Sequence, residues 1–344
     1  MARHSVVVVG AGGIASTWFP VLQKKPVRVA GIVDLNRERA EHRARKFAPQ
    51  APVFTSLASA LKTCRHGFTL VLTVAQAHCS VTCAALNAGC HVIGEKPMAD
   101  SMRAARHMLR TAERTHRLFM VSQSRRWDVN HDRVHRTVAA SRPSTLTTIN
   151  CDFYIGAHFG GLRDLMDSPL ILDMPIHHFA LARFFTGADP VAVHCHEFNP
   201  AGSWYRANVA ASCIFEMSNG IVFTYRGSWC AEGCHTSWNG DWRIIGTRST
   251  LICAHDEKPH GQTVAGGTGF SRPLAPLKIA PPALRFTAMH GALREMLASY
   301  AMASSRKPNA TTISNRSPWS SRRSKARAAA LASPSNGNLH QSPA

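Results

Sequence analysis

The 344-residue sequence predicts an α/β chain in two parts, a doubly wound parallel sheet over 1–122 and an α+β domain with a largely antiparallel, open sheet over 123–308. Three observations carry this. Strand-like and helix-like segments alternate through the first 120 residues, the pattern of a parallel sheet covered by helices. The first strand is apolar at successive positions, as burial on both faces requires. Beyond residue 123 strands succeed one another, and Ser218-Asn219-Gly220 supplies a hairpin turn between two of them.

Ser5–Val9 reads as the first strand, Ala15–Gln23 as a helix, Val27–Val33 as the next strand and Arg37–Phe47 as a charged helix. Val53–Phe54 is a short extended piece before a helix over Ser56–Thr63. Phe68–Val74 and His91–Gly94 are strand-like, with a helix over Ser80–Ala88 between them. A helix over Ser101–Thr115 and a strand over Leu118–Ser122 complete the first set. In the second part a helix covers His131–Ala140 and another follows Asp173–His177. The strands there are Thr145–Tyr154, Ala192–Phe198, Ala210–Met217, Ile221–Trp229, Trp242–Ile245 and Thr250–Cys253. Residues 255–285, rich in Gly and Pro, read as a long loop before a helix at Met289–Tyr300.

Composition narrows the function. With 45% hydrophobic residues the chain can bury substantial cores, which excludes disorder throughout. No apolar run approaches the ~20 residues of a bilayer span, and the N-terminal valines are too few for a signal peptide. A cytoplasmic protein without membrane contact is expected. The net charge of +20 raises the question of nucleic acid. Seven of those charges, from Arg306 to Arg327, follow Glu295, after which no acidic residue occurs. The remainder forms no dense block, so specific nucleic-acid binding is not expected. Ten cysteines show no disulfide-scaffold spacing. His194-Cys195-His196 puts two histidines on one strand face, too little to assign a metal.

Residues 309–344 form a basic, low-complexity tail of Ser, Arg, Ala and Pro. Codons exist for Thr312–Arg327 that, in a shifted frame, spell an acidic amphipathic helix. A frameshift near residues 308–312 is therefore expected, and the nucleotide sequence decides it.

Gly10-Ala11-Gly12-Gly13-Ile14-Ala15 is G-x-G-x-x-A, directly after a strand and opening a helix. Gly10 permits the tight turn, Gly12 lets a pyrophosphate approach the backbone, and Ala15 allows close helix–strand contact. Gly13 and Ile14 complete the loop. Asp34 ends the second strand, where a carboxylate accepts hydrogen bonds from both ribose hydroxyls and repels a 2′-phosphate. This favours NAD, while Arg37 nearby leaves NADP open. Glu95-Lys96-Pro97 follows the fifth strand at the carboxyl edge of the sheet, where ligands bind in such folds. A lysine there can hydrogen-bond a substrate hydroxyl and move its proton.

With these motifs the sequence resembles the Gfo/Idh/MocA oxidoreductases, relatives of glucose–fructose oxidoreductase and inositol dehydrogenase, over about residues 3–308. The family's E-K-P stands at Glu95-Lys96-Pro97. Its T-P-x-x-x-H appears as Thr73 to His78, with Val74 in place of proline. Its D-x-G-x-H-x-x-D appears as Asp173 to Ala180, with Pro175 in place of the small residue and Ala180 in place of the last carboxylate. The resemblance implies a Rossmann domain and an α/β partner domain whose sheet can supply a dimer face, hence a homo-oligomer. It implies Lys96, Asp173 and His177 as the catalytic group, with Thr73, His78, Glu95 and Lys96 beside the cofactor. Four residues apart on a helical start, Asp173 and His177 would share a face, letting Asp173 orient the imidazole and His177 take the alcohol's proton. His178 faces elsewhere and reads as structural.

Arg126, Tyr154 and His158 are the candidate substrate contacts. The expected function is NAD(P)-dependent hydride transfer between nicotinamide and a secondary alcohol or ketone of a sugar, cyclitol or related polyol, without a metal. A degenerate NAD-binding regulatory paralogue, which Ala180 would suit, and a dehydrogenase of a dihydrodiol or imine are the alternatives.

Overall fold

A computed structural model describes residues 4–305 apart from 26, 65–66, 141–143 and 162. The tail 309–344, and the frameshift expected near it, lie outside the described residues.

The first sheet has six parallel strands, β1 (His4–Val9), β2 (Val27–Val33), β3 (Val53–Phe54), β4 (Phe68–Val71), β5 (His91–Gly94) and β6 (Phe119–Val121). Their order is β3-β2-β1-β4-β5-β6, so the chain reverses direction of travel at β1 and the crevice opens beside its carboxyl end. Alternation along β1 sends Val6 and Val8 into the core under α1 (Ala15–Gln23) and α2 (Arg37–Phe47). Val7 and Val9 pack towards α3 (Leu57–Thr63) on the other face. Caps mark the helix starts that were legible: Asn36, Ser56 and Ser101 each accept a backbone N–H of the first turn. α4 (Ala75–Asn87) begins five residues before its expected start because Val74 offers no capping side chain, and β4 correspondingly ends at Val71. α5 (Met102–Thr115) completes the layer.

The second sheet has eight strands in the order β14-β13-β12-β11-β7-β10-β9-β8. They are β7 (Leu146–Tyr154), β8 (Pro190–Phe198), β9 (Ala210–Met217), β10 (Val222–Ser228), β11 (Asp241–Gly246), β12 (Ser249–Cys253), β13 (His260–Val264) and β14 (Leu274–Pro276). All neighbours are antiparallel except β7 and β10, which run parallel at the centre. The expected loop over 255–285 therefore contains two short edge strands, invisible in a stretch read only for its Gly and Pro. One face of this sheet is covered by α8 (Pro175–Thr186), whose Phe179, Leu181, Ala182 and Phe185 meet Phe215, Phe223, Tyr225 and Trp242. α6 (Val129–Ala139) adds Val134 to the same core, and α7 (Pro169–Asp173) adds Leu170. Among the described residues no helix covers the opposite face. α9 (Ala288–Ser305) returns to the first sheet, where Ala292, Leu293 and Met296 are buried under α1. The segment 123–308 thus contributes to both cores.

His91 is buried on β5, and its Nδ1 accepts the Leu118 N–H at 2.9 Å, which only an imidazole unprotonated there can do. Burial, with Arg117 beside it, pushes its pKa down to about 4. A lowered folded value means stability present above the ordinary ~6.5 and lost as pH falls towards 4, roughly 3 kcal/mol in full. Thermal unfolding of the protein should therefore shift to lower temperature between pH 7 and pH 5. His91→Asn, which keeps an acceptor without the titration, should flatten that slope.

Candidate active site

The glycine turn is built as the motif requires. Gly10 has φ +103°, and a Cβ there would lie 2.6 Å from the Leu72 carbonyl oxygen. At Gly12 and Gly13 a Cβ would face open space, the room a pyrophosphate needs. No side chain caps the start of α1, whose Ser16 and Thr17 N–H groups donate to the Gly13 and Ile14 carbonyls at 3.1 Å, so an anion there would be met by the glycine loop and the positive end of the helix. Arg43 donates to the carbonyls of Ala11 and Gly12, both at 3.1 Å, which holds the loop's acceptors back towards α2. Asp34 Oδ2 accepts the Ala11 N–H at 2.7 Å, placing its carboxylate against the turn. These residues fit NAD.

Arg37 does not join them: it pairs with Glu41 on the surface of α2 at 2.9 Å. Arg39 is the cation beside Asp34, at 3.2 Å. Leu35 and Val74, 93% and 67% exposed, stand just past β2 and β4 on either side of the turn, an apolar pair that suits a base or ring. Neither has a sequence signature.

Glu95 and His78 are braces. Glu95 is buried and accepts the Trp18 indole N–H at 2.7 Å and the Lys96 N–H at 3.1 Å. Burial pushes its carboxyl up, and those two hydrogen bonds only partly oppose this. Trp18 lies on α1, so the helix that begins at the glycine turn also fixes the backbone of Lys96. His78 bridges the Thr73 carbonyl at 3.0 Å and the Pro97 carbonyl at 2.7 Å, tying the ends of β4 and β5 together around a cis Lys96–Pro97 bond. The Thr73 hydroxyl is buried without a hydrogen-bond partner.

Lys96 reaches across to the second domain. Its Nζ donates to Asp173 Oδ1 at 2.8 Å and to the Asp173 carbonyl at 3.0 Å. Asp173 Oδ2 accepts from Arg163 Nε at 2.7 Å. Burial pushes the Asp173 carboxyl up, but Lys96 and Arg163 more than offset it and hold it below its ordinary value. The expected sharing of one helix by Asp173 and His177 is corrected: Asp173 ends α7, Pro175 opens α8, and Met174 lies between. Pro175 has no N–H to continue a helix, so the chain restarts there. Asp173 consequently serves Lys96 and Arg163, not the imidazole.

His177 still faces the site. Burial, with Arg125, Lys96 and His178 as neighbours, pushes its pKa well below the ordinary range, and its Nδ1 has no hydrogen-bond partner. His178 is buried against Phe153, Tyr225 and Trp242, as a structural residue should be.

The three candidate substrate contacts lie elsewhere. Arg126 rests over the Phe184 ring at 4.7 Å, with Glu295 and Arg183 as charged neighbours, and burial lowers its guanidinium to about 10. Arg125 is the arginine turned towards His177, and it donates to the Trp238 carbonyl and to Asn239 Oδ1. Two adjacent arginines in a short turn point to opposite sides, which spacing could not resolve. Tyr154 shares the uncovered face of β7 with Asp152, near Arg226, because Cys151 and Phe153 take the inner face. His158 is exposed, stacked on Trp204 at 3.8 Å and paired with Glu232 at 2.8 Å. Among the described residues, no group of three or more His, Cys, Asp or Glu could hold a metal, and no helix is long and apolar enough to cross a membrane.

Comparison with known proteins agrees with this geometry. Residues 4–123 match the model of the oxidoreductase family with an NAD-binding Rossmann fold, and residues 133–252 match the GFO/IDH/MocA C-terminal domain. The chain is 23% identical over 265 residues to the uncharacterized protein y4oX of Sinorhizobium fredii, covering 74% of each. It is 32% identical over 113 residues to inositol 2-dehydrogenase of Paracoccus denitrificans, covering 33% of this chain and 34% of that one. An oxidoreductase from Agrobacterium radiobacter, solved with NAD+, L-tartaric acid and magnesium, superposes with a TM-score of 0.77 at 18% identity, covering 96% of this chain and 94% of the other. With matching models over both domains, the chain belongs to the Gfo/Idh/MocA family of NAD-dependent oxidoreductases acting on alcohol groups.

Proposed function

We propose that the protein interconverts a secondary alcohol and a ketone on a polyol-class substrate, a sugar or cyclitol, with Lys96, Asp173 and His177 as its catalytic group. The observation that carries this is the Lys96–Asp173 contact at 2.8 Å, which holds an ammonium group between the domains at the carboxyl edge of the nucleotide-binding sheet. NAD, when bound, accepts the hydride from the alcohol carbon. Lys96 hydrogen-bonds the substrate oxygen and stabilises charge developing on it. His177, kept neutral by burial and its cationic neighbours, takes the hydroxyl proton. Asp173 positions Lys96 by accepting two of its three hydrogens, at Oδ1 and at its carbonyl, leaving one for substrate. Asp34 favours NAD over NADP, since its carboxylate repels a 2′-phosphate.

The uncovered face of the eight-stranded sheet supports a homodimer. Ile214, Val222 and Phe198 lie exposed on it around the Arg226–Asp152 ion pair. Two copies burying this face would remove an apolar surface that a lone copy leaves in water.

Titration of the purified protein with NADH and NADPH, read by nicotinamide fluorescence, tests the cofactor reading, and NADH should bind more tightly. Lys96→Met should lower kcat/KM by 10²-fold or more on the order expected for a lost acid–base group, with NADH affinity kept. Equal activity in that variant would remove the catalytic assignment. In the oxidation direction kcat/KM should stay level from pH 8 to pH 6, its acid limb lying below the ordinary imidazole value of ~6.5 because the folded His177 pKa is lowered. A limb centred at 6.5 would exclude His177 as the base. Sedimentation velocity should give a dimer, and Ile214→Glu a monomer that still binds NADH.

A further inference from the structure

The cleft holds more positive charge than its chemistry uses. Asp173 is shared between Lys96 and Arg163, one carboxylate against two cations, and His177 beside them is neutral. Arg163 spends only Nε on Asp173. Its two terminal nitrogens have no hydrogen-bond partner among the described residues, and its side chain is 47% exposed. The guanidinium plane is nevertheless fixed, lying over the Phe159 ring at 4.7 Å, which in turn packs on Trp229 at 4.8 Å. Asp164, next in the chain, forms no ion pair with it among the described residues. A guanidinium held on one edge and open on the other is a fork for an oxyanion. Arg125 does not compete for this role, since it is turned to the Trp238 carbonyl and Asn239, with Asp256 and Asp128 nearby.

We infer that the substrate carries a carboxylate, bound bidentately by the outer edge of Arg163 while Lys96 meets the reacting oxygen. This rests on the dehydrogenase reading above and narrows its substrate to a polyhydroxy acid. Within the Lys96, Arg163 and Asp173 group the excess is a single positive charge, which a carboxylate neutralises and a phosphate ester dianion would exceed. Asp173 spans the two cations through its two oxygens, so one small molecule reaches both of them with its acid group and its hydroxyl. Arg163 is thus a specificity residue, while Asp173 sets the separation of the two binding points.

The test uses the enzyme–NADH complex and matched probes, xylonate against xylitol, gluconate against sorbitol, and sorbitol 6-phosphate, with NADH fluorescence reporting binding. At least one acid should bind roughly tenfold or more tightly than its neutral partner, the size of a lost charge-assisted hydrogen bond. Arg163→Gln should erase that ratio, weakening acid binding far more than alditol binding with NADH affinity kept, and Arg163→Lys should restore part of it. A merely structural role for Arg163 would alter acid and alditol binding alike. Acids that bind no better than alditols, or a phosphate ester that outcompetes every acid, overturn the inference while the dehydrogenase reading stands. A folded protein that fails to bind NADH removes both.

Discussion

A single carboxylate joins the two halves of this site. Asp173 accepts Lys96 from the nucleotide-binding domain and Arg163 from its own, holding the two cations on its two oxygens. Lys96 and Asp173 are both mostly buried, so removing either leaves the other desolvated and short of a partner, which costs more than the pair itself contributes. The position of Asp173 depends in turn on the break at Met174 and Pro175, which ends one helix and starts another in the space of two residues. The departure from the family's small residue at position 175 therefore bears on geometry as much as on packing.

The cofactor side and the chemical side are linked through the interior as well. Trp18 sits one turn into the helix that opens at the glycine loop, and its indole reaches buried Glu95, which holds the Lys96 backbone. His78 does the same from α4 by holding the Pro97 carbonyl. Glu95 and His78, the braces beside Lys96, are thus hydrogen-bonded, and the lysine's backbone has little freedom.

Much of this could be read in the sequence, for physical reasons that differ by residue. Gly10, Asp34 and Lys96 are placed by the local chain: each follows a buried strand, so the strand pattern locates it. Helices with Asn or Ser caps were bounded to within a residue, whereas α4, whose start has no capping side chain, was not. The substrate side was illegible. Arg126, Tyr154 and His158 are close to the site in sequence, but their directions are set by strand alternation and tertiary packing. Arg125, Arg39 and Arg163, which do face the cleft or the nucleotide groove, carry no distinguishing neighbours. A resemblance to relatives supplied the proposed catalytic trio, yet the pairing within it, with Asp173 serving Lys96, came only from the geometry.

The return of α9 has a consequence for how the protein is made. Ala292, Leu293 and Met296 complete the core beneath α1, almost at the far end of the described chain from the strands they cover. During synthesis the nucleotide-binding domain emerges first but lacks that cover until the second domain has been translated. The apolar side of α1 and its neighbours is exposed for the whole interval. The contacts that finish the first domain are among the longest in sequence separation, and such closures are slow. The domain that binds the dinucleotide is therefore the first to appear and among the last to be finished.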